Sequence, residues 1–559
     1  MNPPANFDLG YDAIAPRITD AADQERWDEA CDVLVVGMGI AGVSAALATS
    51  ETGGGRSVLV IDRFNGGGSS SLSGGVVYAG GGTKVQREAG VDDPTEAMLA
   101  YLVEETGGAV STETLRRFCT TSPEMIEWLE GHGVRFSSKV APRKASYPTR
   151  DGYLYLSGNE TVQVYADHIP AAPRGHRVVA APNLSERFLY RGGASLMMTL
   201  IRALRAAPGV REILHCRVDR LVVDKAGRVV GVDVYQIPVG FNAWRHGKLQ
   251  RISSHIALGD SKLAKWAWRK AASIEKRHAR RRTITVRERT ILAAGGFMRN
   301  RAMVQHHAAT YLDATPLGAQ GDVGSGIRLG QGVGGVTAYM DSVSAWRFIN
   351  PPYVWMRGIM ISRRGERLTN EEQYGARLGA ALFEKAEGRG WLILDSKIVE
   401  DGERELKLPE TWIFQRMIAR AMLKNGKKAV TVADLEKQLE ITDGGLQKAV
   451  ERYNQDIAAS APDEFGKSRD LCAPLLTGPF YAVDVSSDVA GSPILAISLG
   501  GLAIDENTGA VLGTDNKPIA GLFAAGRSAV GLCSKSYISG LSLADGIFSG
   551  RRAGSFICQ

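Results

Sequence analysis

The 559-residue sequence predicts a two-domain α/β protein, a Rossmann-type dinucleotide-binding domain with an α+β cap, the catalytic domain, inserted into it. Three observations carry that expectation. A strand, a glycine turn, a helix and a second strand follow one another between Cys31 and Asp62. The composition shifts to a mixed pattern with its own turns and helices from Val336 to about Pro493. A last strand, Gly521 to Ala525, then runs into a glycine- and serine-rich turn and a helix ending near Ser555. The boundaries that follow are 26–335 with 491–559 for the dinucleotide-binding domain and 336–490 for the cap.

The first element is the most specific. Val33 to Val36 reads as an apolar strand, and Gly37-Met38-Gly39-Ile40-Ala41-Gly42 after it is a G-x-G-x-x-G fingerprint that opens an alanine-rich helix. Gly37 permits the tight turn, Gly39 lets backbone approach a pyrophosphate, and Gly42 lets helix and strand pack closely. Ile40 and Ala41 start the helix whose free amides attract the phosphates. The second strand, Val58 to Ile61, ends in Asp62, twenty residues beyond Gly42, where an acid accepts hydrogen bonds from ribose hydroxyls; Arg63 stands beside it.

A second glycine cluster, Gly66 to Gly75, follows at once and offers Gly68, Ser69, Ser70, Gly74 and Gly75 as contacts. A nicotinamide-binding domain has no evident use for it. An isoalloxazine and its pyrophosphate need small residues, amide donors and hydroxyls at close range, so the expected cofactor is FAD. Ser69 to Gly75 contains no histidine for a covalent link, so the binding is expected to be non-covalent.

Helical periodicity from Asp93 to Gly133 reads as packing. The alternation from Cys216 to Tyr235, broken at Lys225-Ala226-Gly227, reads as a β-hairpin that carries Val218. A strand from Thr290 ends at Ala294-Gly295, and Gly521 to Arg527 with Ser539 to Gly546 resembles the C-terminal return by which a flavoprotein family completes its FAD site, which implies Gly526, Arg527, Ser542 and Leu543 as contacts. In the cap, helices are expected at Ala376 to Glu387, Val432 to Leu439 and Gly445 to Ala459.

Between hairpin and strand lies an insert at about 238–287. Fourteen Lys and Arg face three acids between Arg245 and Arg289, a local +11 that leaves about −4 to the rest of the chain, so the net charge of +7 belongs to one segment. Two readings stand: a solvated, partly disordered excursion, or an interfacial helix drawn to anionic lipid and giving peripheral membrane contact, with Leu263, Trp266, Ala267 and Ile274 on one side. No nucleic-acid-reading motif accompanies the charge, and specific nucleic-acid binding is not expected.

The most apolar run, Val33 to Ala48, is broken by glycines and is shorter than the ~20 residues a spanning helix needs. The first twenty residues lack a basic start and an apolar core, so the expected compartment is the cytoplasm. Six cysteines (Cys31, Cys119, Cys216, Cys472, Cys533, Cys558) show no metal or iron-sulfur spacing and read as reduced structural thiols; no metal is expected. Without a second fingerprint for NAD, electrons are expected to leave to an external acceptor, a quinone or another small carrier.

The assembly resembles the flavoprotein family of fumarate reductases and 3-ketosteroid dehydrogenases over nearly the full length. Within it the likeness runs furthest toward the bacterial 3-ketosteroid Δ4-(5α)-dehydrogenases. It rests on Gly74-Gly75-Val76-Val77-Tyr78, Gly80-Gly81-Gly82-Thr83, Ala172-Pro173-Arg174-Gly175-His176, Ser536-Tyr537-Ile538-Ser539-Gly540 and Gly550-Arg551-Arg552-Ala553-Gly554. The resemblance implies catalytic residues at Tyr374, Tyr537 and Ser539. The family's fumarate reductases place an arginine acid shortly after an Asn-Glu pair, here Asn370-Glu371, where Tyr374 now falls and Arg377 lies slightly further on. Their histidine before paired glycines is replaced by Ser498-Leu499-Gly500-Gly501, which argues against a dicarboxylate. The Δ1-dehydrogenases end in a Tyr-Ala-Gly-Pro-Gly type of motif, from which Tyr537-Ile538-Ser539-Gly540-Leu541 departs.

Desaturation beside a ketone needs a donor on the carbonyl oxygen, a base for the α-proton and a flavin N5 for the β-hydride. Tyr537 with the Leu541 amide is expected to polarise the ketone of a hydrophobic substrate, and Tyr374 to be the base, assisted by Ser539 and the field of Arg377. The alternatives are a fumarate-like or enone reductase on the same fold, and Δ1-desaturation. The stretch Ser344 to Trp355 could wall an apolar pocket or serve packing, and His168 and His176 read as structural.

Overall fold

A computed structural model describes residues 10–20, 26–52, 54–180, 192–256 and 261–556. The first nine residues and Cys558 lie outside them. β1 (Glu29–Val36), α1 (Ile40–Glu51) and β2 (Val58–Ile61) form the expected β-α-β unit. Val33, Leu34, Val35 and all of β2 are buried, as strands covered on both faces require. Each such side chain contributes about 1.5–3 kcal/mol relative to exposure. α2 (Gly192–Ala206) leads to β3 (Val210–Ile213), parallel to β2. β4 (Cys216–Val223) and β5 (Val229–Gln236) are the expected hairpin.

The insert differs from the sequence expectation. It is an ordered pair of packed helices, α3 (Phe241–Ile256) and α4 (Lys262–His278), and it ends before Arg280. β6 (Arg280–Leu292) follows as a single 13-residue strand. Its first half pairs antiparallel with β5 and its second half lies parallel between β1 and β7 (Pro518–Ala524). Arg280 to Arg287, counted with the insert from their charge, are therefore sheet residues. Arg281 pairs with Asp233, Arg282 with Glu29 and Arg287 with Asp32, so acids of neighbouring strands answer these charges. Charge density mistook a strand edge for part of the excursion.

Between β6 and β7 the chain builds the cap, around an antiparallel sheet of Ile359–Ile361, Trp391–Leu394, Phe480–Asp484 and Lys427–Ala429 in that order. The three expected helices are present as α5 (Gly375–Ala386), Val432–Gln438 and Gly445–Ala458. Two more, Ser396–Leu406 and Ile413–Asn425, were not anticipated. The cap core also takes in Phe297, Met303 and Tyr311. The helical region from Asp93 resolves into Thr95–Glu105 and Thr112–Gly131.

The chain closes with α6 (Leu541–Ser555), which lies against α1. Gly550 and Gly554 make that approach possible: a Cβ on them would stand 2.3 Å from the carbonyl oxygen of Ala41 and 2.2 Å from that of Ala45. Among the described residues no helix is long and apolar enough to cross a membrane, no group of His, Cys, Asp and Glu could hold a metal, and the five cysteines are free.

Candidate functional site

A long cavity runs from the ends of β1 and β2, past the N-terminus of α1, to Trp346, Ile497 and Tyr537. Gly37, Gly39, Ile40 and Ala41 line it from the fingerprint, Asp62 and Arg63 from the end of β2, and Gly68, Ser69 and Ser70 from the second cluster. Val218, Ala294 and Gly295 add the far wall, and Gly526, Arg527, Ser542 and Leu543 the C-terminal return. Gly42, Gly74 and Gly75 are not on its surface. A Cβ on Gly42 would lie 1.9 Å from the Gly37 carbonyl oxygen, which is the close packing its place in the motif demands. Gly74 makes room for the ring of Tyr147, and Gly75, at φ +64°, for the start of α2. Their contribution is to the frame of the cavity.

The polar groups on this wall are pre-set. Asp62 accepts the Met38 amide at 2.9 Å and the Phe64 amide at 2.7 Å, which ties the glycine turn to β2 and leaves lone pairs for ribose hydroxyls. Ser70 Oγ accepts the Ile40 amide at 3.1 Å and Ser69 Oγ the Ala319 amide at 3.0 Å, stitching the second cluster across the cavity. Arg527 makes a bidentate pair with Asp322 at 2.9 and 3.0 Å, and Asp322 also accepts the Gly296 amide. At the start of α6 the Ser542 and Leu543 amides precede the first helical turn's bonds and face the cavity with the positive end of the helix dipole. The indole N–H of Trp346, buried on the same wall, finds no acceptor among the described residues. An elongated, pyrophosphate-bearing, flat aromatic ligand fits this cradle. No histidine stands among the described residues that line it.

Of the three expected catalytic residues Tyr537 is on the cavity wall, while Tyr374 and Ser539, hydrogen-bonded to each other, are not among the residues that line it. Tyr537 lines the cavity and stands edge-on to Trp346 at 5.2 Å. Burial and the neighbouring Cys533 push its phenol up to about 12, while hydrogen bonding with Ser542 and the Gly540 backbone and the charge of Arg527 pull it back. Tyr374 caps α5 beside Phe348, and burial raises its phenol well above the ordinary value, opposed by a hydrogen bond from Ser539. Ser539 Oγ is also 2.8 Å from the hydroxyl of Tyr155.

Tyr155 escaped the sequence reading. It is fully buried in a short strand, Leu154–Tyr155, opposite Gly175, where a Cβ would come within 2.6 Å of its ring. The glycine of Ala172-Pro173-Arg174-Gly175-His176 was the available signal: it makes room for this tyrosine. The adjoining Ser157-Gly158-Asn159 was missed too, and it registers both halves of the site. The Ser157 carbonyl accepts the Ser539 amide at 3.1 Å, and Asn159 Oδ1 accepts the Tyr374 amide at 2.6 Å while its Nδ2 donates to Glu105.

Two expectations are corrected. Arg377 donates to Glu105 and lines a neighbouring polar cavity with Glu384, so its charge is spent away from Tyr374. The Leu541 amide donates to the Ile538 carbonyl at 3.2 Å and is not free for a ketone. His176 and His168 are structural, as expected. Burial drives His176 down to about 4, beside Thr83 at 2.8 Å, and His168 pairs with Glu104 on the surface. Of the aromatic stretch, Trp346 reaches the cavity, Phe348 flanks Tyr374 and Trp355 is core.

The model of the FAD binding domain family matches residues 32–537. The chain belongs to that family. Gly37 to Ala41, Asp62, Ser69 and Ser70 and the α6 N-terminus line the cavity whose shape and donors fit FAD. A 3-oxo-5-alpha-steroid 4-dehydrogenase from Comamonas testosteroni is 39% identical over 517 residues, 90% of this chain and 94% of that protein. The crystal structure of 3-ketosteroid-Δ4-(5α)-dehydrogenase from Rhodococcus jostii RHA1 in complex with 4-androstene-3,17-dione shares 30% identity at a TM-score of 0.80 and covers 97% of this chain and 99% of that one. A probable fumarate reductase from Shewanella frigidimarina is 25% identical over 574 residues, 97% of this chain and 80% of that protein. The chain is an FAD-binding oxidoreductase whose relatives act on carbon-carbon bonds.

Proposed function

We propose that this protein desaturates a 5α-3-ketosteroid at C4–C5, with non-covalently held FAD. The observation that carries the reading is a pair of neighbouring buried phenols, Tyr537 on the wall of the FAD cavity and Tyr374, hydrogen-bonded to Ser539, close enough for Tyr537 to raise its phenol further. A dicarboxylate would call for cations there, and Arg377 is turned toward Glu105. The steroid class comes from the relatives' substrates.

Tyr537 stays protonated at neutral pH because its phenol titrates at about 12, and a protonated phenol in a water-poor wall donates to a ketone oxygen as negative charge develops on it. That donation acidifies the α-carbon. Tyr374 takes the α-proton, and the hydrogen-bonded Ser539 and Tyr155 give the proton a route away from the buried site. FAD supplies the two-electron acceptor for the hydride leaving the β-carbon. Trp346 and Phe348 flank the two phenols and keep the reaction end apolar.

Anaerobic titration against a ketosteroid panel tests this. Bleaching of the flavin by a 5α-3-ketosteroid, with a product two mass units lighter and a C4–C5 double bond, is expected; reoxidation of reduced enzyme by fumarate, with no bleaching by any steroid, overturns it. The pH dependence follows from Tyr374. A base whose phenol is raised by burial is mostly protonated at neutrality, so kcat is expected to climb with pH by up to about tenfold per unit from 7 to 9. Tyr155→Phe should lower kcat by about ten- to a hundredfold with little change in KM, since it cuts the proton route and leaves the wall in place. Stopped-flow reduction across the pH range reads both.

The same reading places the enzyme in the cytoplasm at an anionic membrane surface, where a lipid-soluble ketone and a quinone acceptor partition. α3 and α4 support it. Phe241, Trp244, Leu263 and Trp266 are exposed among Arg245, Lys248, Arg251, Lys262, Arg269 and Lys270, with Lys248 above the Trp244 ring, whereas Ala267 and Ile274, expected on the lipid side, are buried against the protein. Exposed aromatics in a basic field suit a headgroup boundary. The protein is expected to float with vesicles containing phosphatidylglycerol and to stay behind with pure phosphatidylcholine, and Trp244→Ser with Trp266→Ser should weaken flotation. Equal binding to both vesicles, or none, rules the electrostatic contact out.

A further inference from the structure

The inner face of the same helical pair meets the FAD cavity, and this carries a separate inference. Immediately after Asp62 the residues Arg63, Phe64 and Asn65 run under α3 and α4. Glu275 of α4, buried, receives Arg63 at 3.0 Å and Arg217 of β4 at 2.9 Å. Phe64 stacks on His246 at 5.4 Å and leans on Trp268 at 5.8 Å, and the Arg63 guanidinium lies over both Phe64 and Trp268. Asn65 Nδ2 donates to the Gly247 carbonyl at 3.0 Å and to Gln250 Oε1 at 3.1 Å. Gly247 makes room for this amide: a Cβ there would stand 2.4 Å from Asn65 Oδ1 and push the Asn65 side chain aside. On the opposite lip Gln320 Nε2 donates to the Ser253 carbonyl at 3.3 Å.

The insert thus bridges both lips of the cavity at the end marked by Asp62, the ribose acid. Gln250 is the insert residue that reaches the cavity wall. Its amide spends Oε1 on Asn65 and one N–H on Ser254 Oγ at 2.9 Å, which leaves a second N–H and a second lone pair, the complement of an adenine edge.

We propose that α3 and α4 are a latch on the adenosine half of FAD, with Gln250 contacting the base and Glu275, through Arg63 and Arg217, fixing the latch to the sheet. A latch of this kind slows cofactor release and leaves the chemistry at the other end of the cavity untouched. Buried ion pairs that lose one member are strongly destabilised. Glu275→Gln therefore removes the anchor, while Gln250→Ala removes one contact and keeps the packing.

The test is the rate of FAD release from holoenzyme, followed by recovery of flavin fluorescence on dilution into excess ADP. Gln250→Ala and Glu275→Gln are each expected to speed release by about tenfold or more, with the helical circular dichroism unchanged. Trp244→Ser, on the outer face, should release FAD at the wild-type rate. An unchanged rate in Gln250→Ala, or equal acceleration by Trp244→Ser, overturns the proposal. Should Glu275→Gln lose helical signal, Gln250→Ala alone decides. The readout needs no substrate, so its failure and the failure of the steroid assignment are distinguishable.

Discussion

Tyr537→Phe is expected to lower kcat/KM for a 5α-3-ketosteroid by about a thousandfold, the scale seen when one oxyanion-hole donor is removed. The substitution deletes one oxygen. It leaves the ring against Trp346 and leaves the frame of the FAD cavity intact, because that frame hangs on backbone amides, on Ser69 and Ser70, and on the Arg527–Asp322 pair. Flavin content and the visible spectrum should therefore match the parent enzyme while the rate of anaerobic reduction collapses. The donor is a phenol that titrates at about 12, so loss of its proton should not limit the parent enzyme at ordinary assay pH. A Tyr537→Phe enzyme that reduces at the parent rate would remove the ketone-polarising role from this residue.

Gly42→Ala is expected to cost the protein its cofactor. The added methyl would lie 1.9 Å from the Gly37 carbonyl oxygen, in the β1–α1 turn, and 3.2 Å from Val35 Cγ1, in β1. Nothing flexible can yield there, so α1 must shift away from β1. Overpacking of this kind costs about 1–3 kcal/mol or more. The shift carries the amides at Ile40 and Ala41 off the pyrophosphate, and FAD affinity should fall by at least about a hundredfold. Purified protein with little absorbance near 450 nm is the expected result. A fully yellow Gly42→Ala protein would show that the turn tolerates the displacement.

The cofactor half of the site was legible in the sequence because local chemistry dictates it. A turn that must approach a pyrophosphate needs glycines at fixed spacing, and a ribose acid must follow at the end of the next strand, so Gly37 to Gly42 and Asp62 could be read without any tertiary knowledge. The second cluster was legible as a cluster, although Gly74 and Gly75 proved to clear space for Tyr147 and α2. Tyr155 and Asn159 were not legible, because their meaning lies in contacts across hundreds of residues, to Ser539 and to the Tyr374 amide. Periodicity carries no record of such pairs. Arg377 and the Leu541 amide misled for the same reason: each had the right chemistry and a nearer partner, Glu105 and the Ile538 carbonyl. The insert was visible as charge, but the alternating burial of α3 and the long run of β6 decide which of those charges meet solvent.

The contact between α1 and α6 sets an order of events in biosynthesis. Residue 40 leaves the ribosome some five hundred residues ahead of residue 541, a delay on the order of a minute at usual elongation rates. Until α6 arrives, the face of α1 that Gly546, Gly550 and Gly554 will cover has no lid, and β1 waits about half as long for β6 to reach its other edge. The nascent fingerprint is thus an unclosed, sticky half-site that can be loaded with flavin only after α6 has been made. Newly made enzyme should pass through a colourless stage, and the yellow form should appear only once α6 has emerged and docked on α1.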